Sequence, residues 1–145
     1  MRITTMKMSD YDEIYSLWQN TEGMGLHTDD VDSKEGISRY LKRNRGMSVV
    51  ARENGKLVGT VLCGTDGRRG YIFHLAVDKN CRKQGVGKAM VSRALSKLAC
   101  IGISKCVIFV FGKNINGKNF WEHIGWAYRP ELLTLVKDTG VHTNG

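Results

Sequence analysis

The sequence predicts an α/β protein with a mixed, mostly antiparallel sheet flanked by about four helices. Three β-rich runs joined by turn signals predict an antiparallel meander. A strand, an amphipathic helix and a second strand then follow, and this order implies a parallel pair. The 145 residues have room for one hydrophobic core, so we expect residues 1–145 to form a single domain.

Composition and cysteine content exclude several classes of protein. No stretch approaches the ~18 uncharged apolar residues that span a bilayer, and charged residues interrupt the N-terminal region where a secretory signal needs an apolar run. The four cysteines form no Cys-x-x-Cys pair and lack the histidine spacing of a zinc site, so we expect neither a metal site nor a disulfide framework. We therefore expect a cytoplasmic protein with reduced thiols and no membrane partner.

The net charge of +8 is compatible with nucleic acid, an anionic cofactor or an acidic substrate as partner. The basic residues are spread over several segments, which include Lys42–Arg45, Arg68–Arg69 and Arg82–Lys83. None of these segments is interleaved with aromatic residues as a base-stacking surface is. The sequence therefore argues against nucleic acid as the partner.

The N-terminal part of the chain predicts a strand followed by two helices. Arg2 to Met6 alternates weakly and indicates a short strand. Ser9-Asp10 offers an N-cap for a helix from Tyr11 to Gln19, and Ser33 offers one for a helix that ends near Lys42. The predicted inward faces of the two helices comprise Ile14, Leu17, Trp18, Ile37, Tyr40 and Leu41.

The segment between the two helices, Asn20 to Asp32, reads as a loop. It contains Gly23 and Gly25 and ends in a run of acids. Because loops often carry functional residues, this segment is a plausible lip of a substrate site.

Three strands of an antiparallel meander follow. Ser48 to Arg52 and Leu57 to Cys63 are β-rich runs separated by Glu53-Asn54-Gly55-Lys56, and Asn-Gly at that place is a strong hairpin signal. Gly64 to Gly70 predicts a second turn, which leads into a strand from Tyr71 to Val77.

The next segments predict a helix, a buried strand and a short helix. Apolar residues recur at helical spacing from Gly85 to about Cys100, and Gly102 fits the end of that helix. Lys105 to Phe111 is a nearly continuous apolar run, as expected of a strand buried on both faces. Asn114 to Ile124 predicts a short helix that Gly125 ends.

The end of the chain predicts a last hairpin and a tail. Trp126 to Tyr128 and Leu132 to Lys137 are expected to pair as two short strands. Residues 139–145 are rich in polar residues and glycine, and we expect them to form a frayed tail.

The turn that precedes the long helix has the properties of an anion site. The first N–H groups of a helix lack intrahelical partners and carry about half a positive charge, which attracts phosphate. Gly85 and Gly87 would allow a ligand oxygen to approach the main chain, and Arg82, Lys83 and Lys88 add positive charge. The alternative is an ordinary strand-to-helix turn with a solvated basic rim.

Three segments together resemble the GCN5-related N-acetyltransferase (GNAT) superfamily. Arg82-Lys83-Gln84-Gly85-Val86-Gly87 matches the Arg/Gln-x-x-Gly-x-Gly/Ala turn of that family, and His74–Asp78 matches the strand that leads into the turn. The segment from Asn114 to Gly125-Trp126 matches a later segment of that family, in which an Asn is followed by Tyr-x-x-x-Gly-Phe. The Gly64–Gly70 turn also resembles a bacterial branch of small, uncharacterised acetyltransferases.

The resemblance implies that acetyl-CoA is the cosubstrate, that no metal is needed and that a primary amine accepts the acetyl group. It implies a sheet splayed between the strands at Tyr71 to Val77 and Lys105 to Phe111. The pantetheine arm would pair with the first of these strands, the Leu75 N–H would stabilise the oxyanion of a tetrahedral intermediate, and Asn114 would contact the arm. The cofactor-binding residues carried over by position are Leu75, Ala76, Val77, Arg82, Lys83, Gln84, Gly85, Val86, Gly87, Lys88 and Asn114.

Several side chains are candidates for a catalytic role. Tyr71 occupies a strand position where some members carry a Glu or His base, but a phenol with a pKa of about 10 is better suited to orienting the amine. His74 has the right chemistry for a base, but strand alternation points it away from the face of Tyr71 and Phe73, so we interpret it as packed or solvated. Glu22 and His27 could reach the cleft from the first loop.

Trp121 stands where the family often has a tyrosine that protonates the departing thiolate. An indole N–H donates a hydrogen bond but delivers no proton. Because a thiol with a pKa of about 8.5 is a tolerable leaving group, we expect slower turnover rather than none. The alternative is a non-catalytic CoA or acetyl-CoA sensor. The sequence leaves open whether the acceptor is a small molecule, a peptide or a protein, and whether the chain forms a homodimer.

Overall fold

The computed structural model describes residues 1–141, which form a five-stranded sheet flanked by four α-helices. The strands are β1 (Arg2–Thr5), β2 (Val49–Glu53), β3 (Lys56–Thr65), β4 (Gly70–Val77) and β5 (Cys106–Ile108). The helices are α1 (Tyr11–Gln19), α2 (Lys34–Arg43), α3 (Val86–Cys100) and α4 (Ile115–His123). The strand order is β1-β2-β3-β4-β5, with only the β4–β5 pair parallel within these residues, so the predicted mixed fold is confirmed.

Local sequence signals set several element boundaries. Asn54 and Gly55 adopt φ angles of 52° and 81°, as a two-residue hairpin turn requires, and the β2–β3 hairpin closes there. The Ser33 hydroxyl accepts a hydrogen bond from the Gly36 amide at 3.0 Å and caps α2. Asp10 holds the N-cap position of α1 without making the capping bond, because its carboxylate instead accepts from the Lys7 amide.

The sheet has a hydrophobic cluster on each face. One cluster lies under α1 and α2 and includes Ile14, Trp18 and Ile37, all buried. The other lies under α3 and includes Met90 and Leu98. Trp18 is only 1% exposed, which confirms it as a core residue.

A β-bulge in β4 changes which way its side chains point. Thr60 pairs with Ala76 and Leu62 pairs with Phe73, so two steps along β3 match three along β4, and His74 has a φ of 50°. Before the bulge, Ile72 contributes to the core under α3. After it, Ala76 lies in the cluster under α1 and α2.

The bulge makes the predicted orientation of His74 wrong. The His74 ring meets the Trp18 ring of α1 edge-on at 4.8 Å, and the Phe73 ring meets Tyr40 of α2 at 6.4 Å. His74 therefore lies on the same face of the sheet as Phe73. Simple alternation failed because the extra residue reverses the parity of the strand.

The fifth strand is shorter and more exposed than the sequence predicted. β5 spans three residues, all half-buried, and Phe109 and Phe111 beyond it are 57% and 67% exposed. The expectation of a strand from Lys105 to Phe111 buried on both faces is therefore wrong, because the chain beyond Ile108 has left the sheet and exposes its aromatic side chains. Pairing with β4 stops at Ile72, and the sheet splays open from there.

The predicted final hairpin is absent from the described part of the chain. Residues 126–141 form no strand, and their apolar side chains, Leu132, Leu133, Leu135 and Val136, are 66–91% exposed. Leu132 to Lys137 is an apolar run in the sequence, but it pairs with no strand among the described residues. Gly125 ends α4 with a φ of 103°, as expected. Within the predicted tail, residues 142–145 lie outside the described residues.

No helix within residues 1–141 is long and apolar enough to cross a membrane.

Gly36→Ala is expected to destabilise the fold although alanine is the better helix former by about 1 kcal/mol. A Cβ at Gly36 would lie 2.5 Å from the Asp30 carbonyl oxygen and 2.6 Å from that of Val31. Backbone atoms cannot rotate away, so we expect a net loss of about 1 to 2 kcal/mol by urea denaturation. Gly112→Ala, where a Cβ meets nothing within 4 Å, is the control, and a Gly36→Ala protein as stable as wild type would contradict the expectation.

Candidate functional site

The start of α3 carries backbone donors that no residue of the described chain uses. Gly85 occupies the N-cap position with a φ of 80°, and a Cβ there would meet open space. The amides of Val86, Gly87 and Lys88 make no hydrogen bond to any described residue. The first turn carries no acidic residue, so the positive end of the helix dipole is not neutralised from within the helix.

The two glycines of this turn have different structural roles. Gly85 is exposed and provides the left-handed backbone conformation that the turn needs. Gly87 is buried in the first turn of α3, and a Cβ there would lie 3.3 Å from Phe120 of α4 and 3.6 Å from Val77. Gly87 therefore allows α3 to pack closely against Phe120 and Val77. Gly85 is the position at which a ligand can approach the main chain.

Three cations surround the same point. Arg82 donates from Nε to the Val77 carbonyl at 3.1 Å, which holds its side chain across the end of β4. Lys83 and Lys88 are exposed. None of the three forms an ion pair with a carboxylate of the described residues. Bare amides and unneutralised cations together suit a ligand with more than one phosphate.

Beyond Ile72, the main chain of β4 has no partner strand on the side of the splay within residues 1–141. The Asp78 amide donates to Val58 of β3, and the Val77 carbonyl points the other way, to Arg82. By alternation the main-chain groups of Leu75 also face the splay rather than β3. An extended ligand with amide groups could pair with this edge as an added strand does.

The α1–α2 loop closes the far side of the splay. A Cβ at Gly25 would lie 3.3 Å from the Phe111 ring, and one at Gly23 would lie 3.7 Å from the Asn114 Nδ2. The Asn114 Oδ1 accepts from the Gly117 amide at 2.9 Å and caps α4. The amide NH₂ group of Asn114 therefore faces the α1–α2 loop, next to the splay.

Two of the predicted catalytic side chains have few contacts. Tyr71 is half-buried and stacks on Phe109 with 6.5 Å between ring centroids, and its hydroxyl makes no hydrogen bond to a described residue. Glu22 is exposed on the loop and likewise makes no hydrogen bond or ion pair within residues 1–141. The geometry leaves Tyr71 able to orient a ligand and shows no anchored position for Glu22.

The structure brings together an Asp–His pair that the sequence analysis missed. The His74 Nε2 lies 2.7 Å from Asp32 Oδ1, and Asp32 Oδ2 accepts from the His27 amide at 2.7 Å. Burial raises the pKa of Asp32, but the hydrogen bonds from His74 and the His27 amide outweigh it and hold that pKa below its usual range. Asp32 is therefore an ionised carboxylate whose side chain is only 4% exposed.

Trp121 is a packing residue. It is 6% exposed in the cluster under α3 and meets the rings of Phe120 and Trp126 edge-on at 5.3 Å and 4.8 Å. Those contacts explain why a large ring fits at this position.

Comparisons with known proteins show what this chain is similar to. The model of the "Acetyltransferase (GNAT) family" matches residues 11–126. An acetyltransferase of Sodalis glossinidius is 28% identical over 137 residues, with 94% of each protein covered. An acetyltransferase of Photorhabdus laumondii is 32% identical over 110 residues, which cover 76% of this chain and 75% of that protein.

A solved structure shows the same fold. The PaiA N-acetyltransferase of Thermoplasma acidophilum, solved in complex with coenzyme A, superposes with a TM-score of 0.77 at 17% identity. The match covers 88% of this chain and 90% of that one.

Asp32→Asn is expected to lower stability near pH 7 and to have less effect in acid. The folded pKa of Asp32 lies below the unfolded value of about 3.9, so the carboxylate stabilises the fold above that pH and the contribution is lost as pH falls through the folded pKa. Urea denaturation of both proteins should therefore give a stability difference that shrinks below about pH 4. Asp29→Asn, on the exposed part of the same loop, is the control, and a pH-independent difference for Asp32→Asn would contradict the expectation.

Proposed function

This chain belongs to the acetyltransferase (GNAT) family, and we propose that it moves an acetyl group from acetyl-CoA directly to a primary amine in a ternary complex. Acetyl-CoA is the cosubstrate, as the family match and the coenzyme A complex of a related fold support. The amine as acceptor and the direct transfer are our proposal. The observation that carries it is the unneutralised start of α3 beside the unpaired edge of β4.

The turn before α3 would hold the phosphates of the donor. The amides of Val86, Gly87 and Lys88 are unpaired among the described residues, and Gly85 leaves the approach open. Arg82, with its guanidinium anchored on Val77, would add a fixed positive charge. We assign the remaining contacts to Lys83, Gln84 and Lys88 of the same turn.

The edge of β4 would hold the acyl arm. Leu75 and Val77 present main-chain groups toward the splay, and the pantetheine amides would pair with them, with Ala76 between. The Leu75 N–H would then donate to the thioester oxygen as negative charge develops there. Asn114 would contact the arm from the opposite side, and Tyr71 would orient the amine.

The acceptor would enter beneath the α1–α2 loop, which carries Glu22. A small amine, a peptide N-terminus or a protein lysine all fit the proposed chemistry. A second candidate, a CoA sensor without turnover, is favoured by one observation, the replacement of the usual acid by a buried Trp121. The two candidates differ in thiol release.

Purified protein with acetyl-CoA and a panel of primary amines is expected to release free thiol and to give an N-acetylated product by mass spectrometry. Saturable calorimetric binding of acetyl-CoA without thiol release from any amine would instead identify a sensor. Absence of both binding and release would contradict the proposed site itself.

Gly85→Glu is expected to abolish acetyl-CoA binding without unfolding the protein. Two like charges 4 Å apart near a protein surface repel by about 4 kcal/mol, so calorimetry should show a loss of at least about 100-fold in affinity. Gly102→Glu is the matched control, because Gly102 lies at the other end of the same helix. Its φ is 85°, compared with 80° at Gly85, and a Cβ at either position would meet nothing within 4 Å. Equal affinity in the two variants would contradict the assignment of the phosphates to this turn.

A further inference from the structure

The β4 bulge brings His74 next to the main chain that we assign to the reacting acyl group. His74 precedes Leu75, whose N–H faces the splay, and its ring lies on the face covered by α1 and the α1–α2 loop. The His74 side chain is 16% exposed. The side chain is therefore mostly buried but still in contact with solvent.

Asp32 fixes the tautomer of this histidine. A carboxylate can only accept a hydrogen bond, so His74 Nε2, at 2.7 Å from Asp32 Oδ1, must carry the proton. In the neutral ring the lone pair is then on Nδ1, which makes no hydrogen bond to a described residue. Nδ1 is the ring nitrogen nearer the main chain, so this free acceptor lies beside the bulge.

The conformation of His74 is costly and held from several sides. A non-glycine residue with a φ of 50° stores strain of about 1–3 kcal/mol, and such residues cluster at functional sites. The Thr60 hydroxyl donates to the His74 carbonyl at 3.1 Å and accepts from the Trp18 indole at 2.9 Å. Trp18 also packs edge-on against the ring. These contacts fix the ring while leaving Nδ1 unbonded within the described chain.

We propose that His74, oriented by Asp32, is the general base of the reaction. This inference rests on the proposed function. Nδ1 takes one proton from the acceptor ammonium, and the freed nitrogen lone pair attacks the thioester carbonyl carbon. The C–N bond forms, the C–S bond breaks, and the second amine proton leaves with the thiolate to give the thiol. The imidazolium, stabilised by the Asp32 carboxylate, then returns its proton to solvent.

The groups that can influence this proton are few. Asp32 faces the ring directly, and His27 and the Tyr11 hydroxyl reach it only through contacts with Asp32. Trp18 packs against the ring and Thr60 donates to the His74 carbonyl, and neither side chain titrates.

His74→Gln tests the base role, with His123→Gln on the exposed end of α4 as the matched control. With an amine that wild type acetylates, we expect kcat/KM near pH 7 to fall by about 100-fold for His74→Gln and to stay unchanged for the control. The acetyl-CoA affinity should be retained by both variants.

The pH profile separates a base from a merely structural residue. The rate of wild type should reach a plateau at a pH well below the pKa of the amine, because the enzyme itself deprotonates the ammonium. His74→Gln depends on amine that is already neutral, so its rate should keep rising about tenfold per pH unit up to the pKa of the amine. A parallel profile with a constant defect, or activity equal to wild type, would overturn the proposal.

Ring ¹⁵N NMR of the wild-type protein tests the same idea without a substitution. The proposal requires the neutral His74 ring to be protonated at Nε2 with a bare Nδ1, and a ring protonated at Nδ1 would overturn it. Failure of wild type to acetylate any amine would contradict the proposed function instead, since the NMR result does not depend on turnover.

Discussion

One extra residue in β4 decides how the site is built. The bulge at His74 reverses the alternation of the strand. As a result, the main-chain groups of Leu75 and Val77 face the open splay, and the His74 side chain lies against α1. Without the bulge, His74 would face the core under α3 and Asp32 would be left as a buried carboxylate without its histidine partner. The strain at His74 is therefore offset by contacts from three separate elements, β3, α1 and the α1–α2 loop.

The second determinant is electrostatic. Helix starts in proteins commonly carry an acid or a capping side chain, and α3 has neither. Its unpaired amides and the nearby Arg82, Lys83 and Lys88 form a concentrated positive region that an anionic ligand stabilises. This region lies at the end of β4, so the strand whose edge we propose for the acyl arm leads directly into the turn that we propose for the phosphates. The two halves of the proposed cosubstrate site are thereby held at a fixed spacing.

Most of the fold followed from local signals. The Asn54-Gly55 turn, the Ser33 cap and the periodicity of α3 each depend on residues close together in the sequence, and all were confirmed. Features that depend on distant partners were not predictable in the same way. The Asp32–His74 pair joins residues 42 positions apart across a bulge that no residue type announces. The predicted final hairpin is wrong because an apolar run at 132–137 can favour a strand but does not show whether a sheet edge is available to pair with it.

The central claim is that the cosubstrate spans the β4 edge and the start of α3. A crystal structure with coenzyme A tests it most directly. We expect the pyrophosphate within hydrogen-bond distance of the amides at 86–88 and the pantetheine amides paired with Leu75 and Val77. Coenzyme A bound elsewhere, such as the basic pocket lined by Lys7, Lys42 and Arg45, would contradict the claim.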